Sequence, residues 1–282
     1  AIMKYKIVFF GTESFGAGIL RCLIDDERYD IVAVITQPDR RVGRKQEIQK
    51  SPVKILAEQH GLNILQPESL KNWTLDIGPP AGGWDLSVIC QYGLIIPQDL
   101  LEKPKFGNIN IHTSLLPKYR GASPIQSAIL NGEASTGVTI MLLDAKMDHG
   151  PILSQAGVPI STDDTYLDLS EKMLPIAQKL LIKTIPEYLD GTAKLSPQDE
   201  SMATFCKIFT REDGRINWQK SAAEIYNQYR GLTPWPGIWT TWEDKRLKLL
   251  DIQPAVIPAK AGIHNSPGHV YIHNGRIFVG AA

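Results

Sequence analysis

Short apolar strands that alternate with helical segments constrain the fold of this chain more than any other feature. Residues 4–10 form an apolar run that ends at Gly11, a helical pattern covers about 14–25, and a β-branched run at 30–37 starts the cycle again. Strands that alternate with helices in this way predict an α/β fold with a right-handed, doubly wound, mostly parallel sheet.

Local end signals support the next elements of this pattern. In the segment 51–60, Ser51 suits a helix N-cap, Pro52 suits the first turn, and Gly61 follows the end. By the same criteria, the sequence predicts buried strands at 85–90 and 107–112 and helices at 122–131 and 164–189.

The sequence changes character after a turn-rich connector. Short segments rich in Trp and β-branched residues follow it: GIWTTW, RLKLLDI, HVYIH and RIFVG. Segments of this kind predict the strands of a small barrel or sandwich. We therefore predict a first domain at 1–189, a linker at 190–205 and a β-rich C-terminal domain at 206–282.

Composition excludes several classes of protein. Hydrophobic residues make up 43% of the 282 residues and charged residues 21%, which are values of a globular chain. We expect no membrane span, because no apolar run approaches 18 residues, and no signal peptide. The three cysteines are far apart and form no CxxC pair, so we expect neither a disulfide framework nor a zinc ribbon. This use of cysteine fits a reducing, cytoplasmic setting.

Positive charge is unevenly distributed along a chain with no net charge. Residues 206–282 hold 10 Lys and Arg against 6 Asp and Glu, a net +4, and the segment 37–50 carries a net +3. This long segment has no hydrophobic periodicity, so it predicts a mobile binding loop, with a solvated charged loop as the alternative. Its basic side chains suit phosphate groups.

The glycines after the first strand argue against common nucleotide-binding motifs. Gly11, Gly16 and Gly18 do not have the G-x-G-x-x-G spacing of a dinucleotide site, and no Lys follows as in a P-loop. We interpret them as residues of a tight strand-to-helix turn, which disfavours an NAD or ATP enzyme.

Polar residues that could carry chemistry are concentrated between 107 and 153. Asn110 and His112 are two positions apart on a predicted buried strand, so both side chains project to one face. Asp148 follows a strand-like segment and precedes a Gly-Pro turn, which could bring its carboxylate to the imidazole. Such groups are costly to bury unless they are used or paired, so a catalytic site and a structural polar cluster are both open. The G-x-S-x-G motif of many Ser-His-Asp hydrolases is absent, and no second His lies near enough for a metal site.

Two stretches of this region carry a family resemblance. NIHTSLLPKYRGASPIQ and GVTIMLLDAKMDHGPIL resemble the signature of enzymes that use 10-formyltetrahydrofolate, and the chain is similar to the methionyl-tRNA formyltransferases among them from about Lys6 to Gly280. TQPDRRVGR and SPVK resemble the tRNA-contacting loop of that family, and INW and TPWPGIW resemble its OB-like C-terminal domain. The resemblance implies a Rossmann-like sheet followed by an OB-like domain. Since the family usually continues past the point corresponding to Gly280, we expect either an incomplete C-terminal barrel or a truncated sequence.

The resemblance also implies roles for individual residues. The catalytic positions are Asn110, His112 and Asp148. The implied folate-binding positions are Ser114, Leu115, Leu116 and Pro117 together with Gln91, Tyr92, Gly93 and Leu94, and the implied tRNA-binding positions are Arg40, Arg41, Arg44 and Lys45. The expected co-substrate is 10-formyltetrahydrofolate, without a metal, and the expected partner is initiator methionyl-tRNA. We expect a cytoplasmic monomer without a membrane partner.

Two other functions stay open from the sequence. An amino-sugar N-formyltransferase would use the same folate donor with a nucleotide-linked sugar as acceptor, although the basic loop at 36–54 favours tRNA. A tRNA- or folate-binding module that has lost its activity is the second alternative, which the intact set of Asn110, His112 and Asp148 disfavours.

Overall fold

The structure, a computed structural model, describes residues 4–42, 45–71, 73, 83–255, 266–273 and 276–282. Its strands are β1 (Tyr5–Gly11), β2 (Tyr29–Ile35), β3 (Arg40–Val42), β4 (Glu47–Gln49), β5 (Ile64–Leu65), β6 (Leu86–Cys90), β7 (Asn108–His112), β8 (Arg120–Gly121), β9 (Ser135–Leu142), β10 (Ile152–Pro159), β11 (Phe205–Cys206), β12 (Ile238–Trp242), β13 (Lys245–Leu249), β14 (Val270–His273) and β15 (Arg276–Val279). Its α-helices are α1 (Ser14–Ile24), α2 (Pro52–Gln59), α3 (Gln98–Leu101), α4 (Pro124–Leu130), α5 (Tyr166–Leu189) and α6 (Ala222–Leu232), and short 3-10 helices cover Glu200–Met202 and Arg211–Gly214.

Seven of these strands form one sheet in the order β10-β9-β7-β6-β1-β2-β5. The pairs β1–β2, β1–β6, β2–β5 and β6–β7 are parallel, whereas β7 and β9 are antiparallel. The predicted doubly wound, mostly parallel α/β sheet is thus confirmed, with an antiparallel addition at one side.

Strand β1 lies inside the sheet, between β6 and β2, and is covered on both faces. Ile7 and Phe9 point to one side and Val8 and Phe10 to the other, and none of the four is more than 1% exposed. This is why the strand is a continuous apolar run rather than an alternating pattern.

The chain reverses its direction of travel across the sheet between β1 and β6, which makes this the topological switch point. Gly11 and Cys90, the last residues of the two strands, are register partners. A Cβ atom on Gly11 or Gly16 would lie 2.9 or 2.8 Å from the Cys90 carbonyl oxygen. Both glycines therefore allow close packing at the edge where α/β sheets bind ligands.

The described residues divide into two compact units that are not contiguous in sequence. Ala1–Ala122, Gly137–Val158 and Glu171–Phe205 form the first, and Ser123–Thr136, Pro159–Ser170 and Cys206–Ala282 form the second. The contiguous domain limits expected from the sequence stay a prediction.

The second unit has a small core of its own. Ile216, Ile225 and Ile238 are buried together, and partly buried side chains such as Trp218 and Leu249 pack against them. The predicted strands are present as two antiparallel pairs, β12–β13 and β14–β15. Among the described residues, no helix combines the length and apolarity that a bilayer crossing requires.

Candidate active site

Strand β7 carries a buried row of polar side chains on alternate positions. Asn108, Asn110 and His112 are 5, 9 and 6% exposed. Asn108 donates from Nδ2 to the Leu101 carbonyl at 2.7 Å, so it has a structural partner. Asn110 and His112 lie toward the carboxyl end of the strand, at the edge of the sheet where ligands bind.

Asp148 reaches this edge from the connection between β9 and β10. It has a φ of 46°, in the left-handed region that non-glycine residues rarely adopt. Gly150 completes the turn, since a Cβ atom there would lie 2.0 Å from the Leu142 carbonyl oxygen. The backbone N–H of Gly121 donates to Asp148 Oδ2 at 2.8 Å and fixes the carboxylate.

The three side chains converge on one point. Asn110 Nδ2 lies 3.5 Å from Asp148 Oδ1, at the outer limit of a hydrogen bond. His112 Nδ1 lies 3.7 Å from Asp148 Oδ2, an ion-pair distance that is too long for a hydrogen bond. The structure therefore brings the three predicted catalytic residues together, with contacts loose enough to tighten around a bound substrate.

A backbone carbonyl sets the tautomer of the histidine. His112 Nε2 lies 2.8 Å from the carbonyl oxygen of Tyr119. Because a carbonyl oxygen only accepts, Nε2 must carry a hydrogen, which leaves Nδ1 as the ring nitrogen on the Asp148 side.

The segment 114–117, implied to bind folate, is tightly held by the protein itself. Ser114 is fully buried and donates from Oγ to the Lys118 carbonyl at 2.6 Å. The Leu116 carbonyl accepts from Gln155 Nε2 at 2.9 Å, and the Pro117 carbonyl accepts from the Thr204 N–H at 3.2 Å. A ligand that donates hydrogen bonds to these carbonyl oxygens must use their second lone pairs.

The segment 91–94 leaves β6 directly at the switch point. The Tyr92 carbonyl accepts from Thr12 Oγ1 at 3.0 Å and from Gln37 Nε2 at 2.7 Å. Gln91 Oε1 and the Tyr92 hydroxyl are buried without a hydrogen-bond partner among the described residues. Burial raises the pKa of Tyr92 to about 12, so the phenol is neutral and can donate. Gly93 has a φ of 81°, and Leu94 is partly buried beside it.

The basic segment is more regular than expected. We predicted a loop, and its described part is instead an antiparallel hairpin, in which β3 and β4 pair with Arg40 opposite Gln49 and Arg41 opposite Ile48. The mobility and the binding role of the segment stay predictions. The described residues of both strands are exposed, so no buried face imposes an alternating pattern that the sequence could reveal. Lys45 is exposed near its tip, and Arg44 lies outside the described residues.

Polar contacts fix the base of this hairpin. The Arg40 guanidinium donates to Gln37 Oε1, and Lys54 Nζ donates to Asp39 Oδ2 at 2.7 Å. Gln66 Nε2 donates to Asp39 Oδ1 at 2.9 Å. The Lys54 and Gln66 hydrogen bonds hold the pKa of Asp39 below its usual range. Gln37 therefore contacts both the hairpin and the segment that follows β6.

Comparison with known proteins assigns the chain to a family. The family model described as formyl transferase matches residues 5–185, and that of its C-terminal domain matches residues 208–282. A methionyl-tRNA formyltransferase of Halalkalibacterium halodurans is 45% identical over 270 residues, which cover 94% of this chain and 82% of that protein. The chain belongs to the methionyl-tRNA formyltransferase family. A second member, from Streptococcus thermophilus, is 46% identical over 246 residues, or 87% of this chain and 79% of that protein.

The fold is shared more widely than the family. The N-formyltransferase of Helicobacter canadensis, solved with folinic acid and dTDP-3-aminofucose, superimposes with a TM-score of 0.68 over 99% of this chain and 96% of that one. Its sequence identity is 21%, so it shows a common fold only. The expected formyltransferase fold and enzyme class are thus confirmed, and sugar formyltransferases are distant structural relatives.

Some groups of this formyltransferase site were not found from the sequence. The Tyr119 carbonyl and the Gly121 N–H are backbone groups, which any residue type supplies, so no sequence signal marks them. Gln198 donates from Nε2 to the Asp148 carbonyl at 2.8 Å from 50 residues away, inside the predicted linker. Among the described residues, no group of three or more His, Cys, Asp or Glu side chains is arranged to hold a metal ion.

Proposed function

We propose that this chain transfers the formyl group of 10-formyltetrahydrofolate to the α-amino group of initiator methionyl-tRNA. The observation that carries the proposal is the convergence of Asn110, His112 and Asp148 at the carboxyl edge of the sheet, in a chain of this family. A carboxamide, an imidazole and a carboxylate at one point suit acyl transfer to an amine, which needs an oxyanion donor and a proton acceptor.

The residues near the switch point fit a folate donor. Gln91 Oε1 and the Tyr92 hydroxyl, which have no hydrogen-bond partner within the described part of the chain, offer one acceptor and one donor to the edges of a flat heterocycle. Leu115 and Pro117, which follow His112 in the chain, are partly exposed and supply apolar surface. When bound, the donor supplies a formyl carbon that is open to attack by an amine.

Asn110 and His112 stabilise the charge that develops on the formyl oxygen. Asn110 Nδ2 is a permanent donor, whereas His112 Nδ1 donates only in the imidazolium form, because Nε2 already directs its hydrogen to the Tyr119 carbonyl. The Asp148 carboxylate, 3.7 Å from Nδ1, stabilises that imidazolium. Loss of one such donor typically costs about 10²–10³-fold in rate.

Asp148 also accepts the proton that the attacking amine must lose. Among the residues that the structure describes, its Oδ2 accepts from the Gly121 N–H, whereas Oδ1 has only the long contact to Asn110. Oδ1 is therefore the proton acceptor. Asp148 returns a proton to the folate nitrogen as the bond between that nitrogen and the formyl carbon breaks, so tetrahydrofolate leaves as a secondary amine. Proton transfer of this kind contributes about 10²–10⁴-fold. No covalent enzyme intermediate is required, because an unprotonated amine is itself a good nucleophile.

The tRNA contacts are proposed for two regions. Arg40, Arg41 and Lys45 are exposed on the β3–β4 hairpin and suit the phosphates of the acceptor end, and Arg44 is proposed with them. Residues 206–282, with their net charge of +4, are proposed as the tRNA-binding C-terminal domain after a linker at 190–205 and a catalytic domain at 1–189. We further propose a monomer that works in the cytoplasm, where the initiator tRNA is found.

The proposal is tested by comparing acceptors. The protein is mixed with 10-formyltetrahydrofolate and either methionyl initiator tRNA or a dTDP-linked amino sugar, and the N-formyl product is measured. We expect N-formylmethionine on the tRNA and no formylated sugar. Transfer to the sugar alone would establish the amino-sugar alternative, and transfer to neither acceptor would contradict the proposed activity.

A further inference from the structure

We propose that Gln198, in the predicted linker, is a positioning residue that keeps the Asp148 carboxylate in place beside His112. This inference rests on the function proposed above. Gln198 is partly buried and belongs to the same compact unit as the site. Its described contacts are with the Asp148 turn and with Arg120, which lies in the segment that anchors His112.

The turn at Asp148 needs an external restraint. A non-glycine residue in the left-handed region costs about 1–3 kcal/mol and persists only where its surroundings determine it. Gln198 Nε2 donates to the Asp148 carbonyl and to the Gly150 carbonyl, both at 2.8 Å. The two amide hydrogens of one side chain thus bracket the turn that presents the carboxylate.

The other end of the same amide binds a buried arginine. Gln198 Oε1 accepts from Arg120 Nη2 at 2.8 Å and from Arg120 Nε at 3.1 Å. Arg120 is 2% exposed. A buried guanidinium must be paired, so this contact is strongly directional and fixes the orientation of the amide.

Arg120 lies between the two backbone groups that hold the catalytic pair. The carbonyl of Tyr119 binds His112 Nε2, and the N–H of Gly121 binds Asp148 Oδ2. Gln198 therefore ties the backbone of Asp148 to the segment that sets the positions of both the imidazole and the carboxylate.

Glu200 offers a matched control on the same guanidinium. Its Oε1 accepts from Arg120 Nη2 at 2.6 Å, and its side chain is 59% exposed. The Arg120 hydrogen bond lowers the pKa of Glu200. Its other described ion pair is with His149 at 3.4 Å, so removing its charge weakens the arginine contact without removing the donors to the Asp148 turn.

The test compares Gln198→Glu with Glu200→Gln in the full chain. Gln198→Glu keeps an acceptor for Arg120 but places a carboxylate oxygen against two carbonyl oxygens. We measure kcat, both KM values and the thermal midpoint with methionyl-tRNA and 10-formyltetrahydrofolate. We expect kcat to fall about 10–100-fold in Gln198→Glu and both KM values to stay nearly unchanged. The reason is that a small displacement of a reacting group lowers the rate by a factor of this size.

The controls separate this inference from the function on which it rests. Glu200→Gln should keep kcat within about twofold of the wild type. A wild-type protein without transfer activity contradicts the proposed function, whereas an active wild type with an equally active Gln198→Glu overturns only the role of Gln198. An equal loss of kcat in both variants also overturns it. If Gln198→Glu does not fold, Gln198→Met, which removes the donors without adding charge, takes its place with the same expectations.

Discussion

The proposed catalytic corner of this formyltransferase, formed by Asn110, His112 and Asp148, differs from the basic β3–β4 hairpin in how firmly its side chains are fixed. At the corner, His112 and Asp148 are each fixed by a backbone group at 2.8 Å, and Gln198 brackets the Asp148 turn. At the base of the hairpin, described side-chain contacts run through Gln37 and Asp39, while the described side chains of its strands are exposed. The proposed chemistry at a formyl group needs fixed positions, whereas the proposed contact with the tRNA end needs charged side chains that can move.

The largest expected effect comes from the corner. His112→Ala should lower the single-turnover rate of formyl transfer about 10²–10⁴-fold, because both the oxyanion donor and the partner of Asp148 are lost. Binding of the folate donor, measured by fluorescence or calorimetry, should be nearly unchanged. A variant that transfers formyl at close to the wild-type rate would remove His112 from the mechanism.

A smaller effect is expected where the two regions meet. Gln37 donates to the Tyr92 carbonyl at 2.7 Å and accepts from Arg40, so Gln37→Leu should raise the KM of both substrates. An increase of about fivefold corresponds to the loss of roughly 1 kcal/mol of hydrogen bonding. Gln66→Leu, which removes contacts at the hairpin base only, is the control and should change the KM of the tRNA alone. Equal effects of the two variants on the folate KM would show that Gln37 does not link the regions.

A still smaller effect is expected on the hairpin itself. Arg41→Ala should weaken tRNA binding and reduce the slope of log K against log salt by about 1, because one phosphate contact is lost. The KM of the folate donor should stay at its wild-type value, and Ile48→Ala, opposite Arg41 in the hairpin, serves as the uncharged control. If Arg41→Ala left the slope of log K against log salt unchanged, Arg41 would not contact a tRNA phosphate.

The smallest effect concerns stability rather than activity. Ser51 caps helix α2 by accepting from the Lys54 N–H at 3.0 Å, and α2 carries the Lys54 side chain that holds Asp39. Ser51→Ala should lower the free energy of unfolding by about 1 kcal/mol, measured by urea denaturation, with kcat unchanged. A matching loss of kcat would mean that the cap also supports the site.

The elements that the sequence predicted well share a physical cause. Helix α2 begins after Ser51 and contains Pro52 at its start, as its end signals indicate, and strand β7 places Asn110 and His112 on one face by its two-residue period. In both cases the decisive information lies within a few neighbouring residues. The same holds for the antiparallel strands of the C-terminal region.

The features that escaped prediction depend on distant or backbone groups. The described residues of the β3–β4 hairpin form no buried face, so its strands carry no hydrophobic alternation. The Tyr119 carbonyl could belong to any residue, and Gln198 meets Asp148 only because the chain returns to the site after 50 residues. The roles of the proposed folate and tRNA residues stay predictions.

A double-mutant cycle on His112 and Asp148 tests the central claim most directly. Single-turnover formyl transfer to methionyl initiator tRNA is measured for the wild type, His112→Ala, Asp148→Asn and the combined variant. If the two side chains act on one formyl group as a unit, the combined variant loses hardly more rate than the worse single variant. Losses that multiply, as for two independent groups, would contradict the claim.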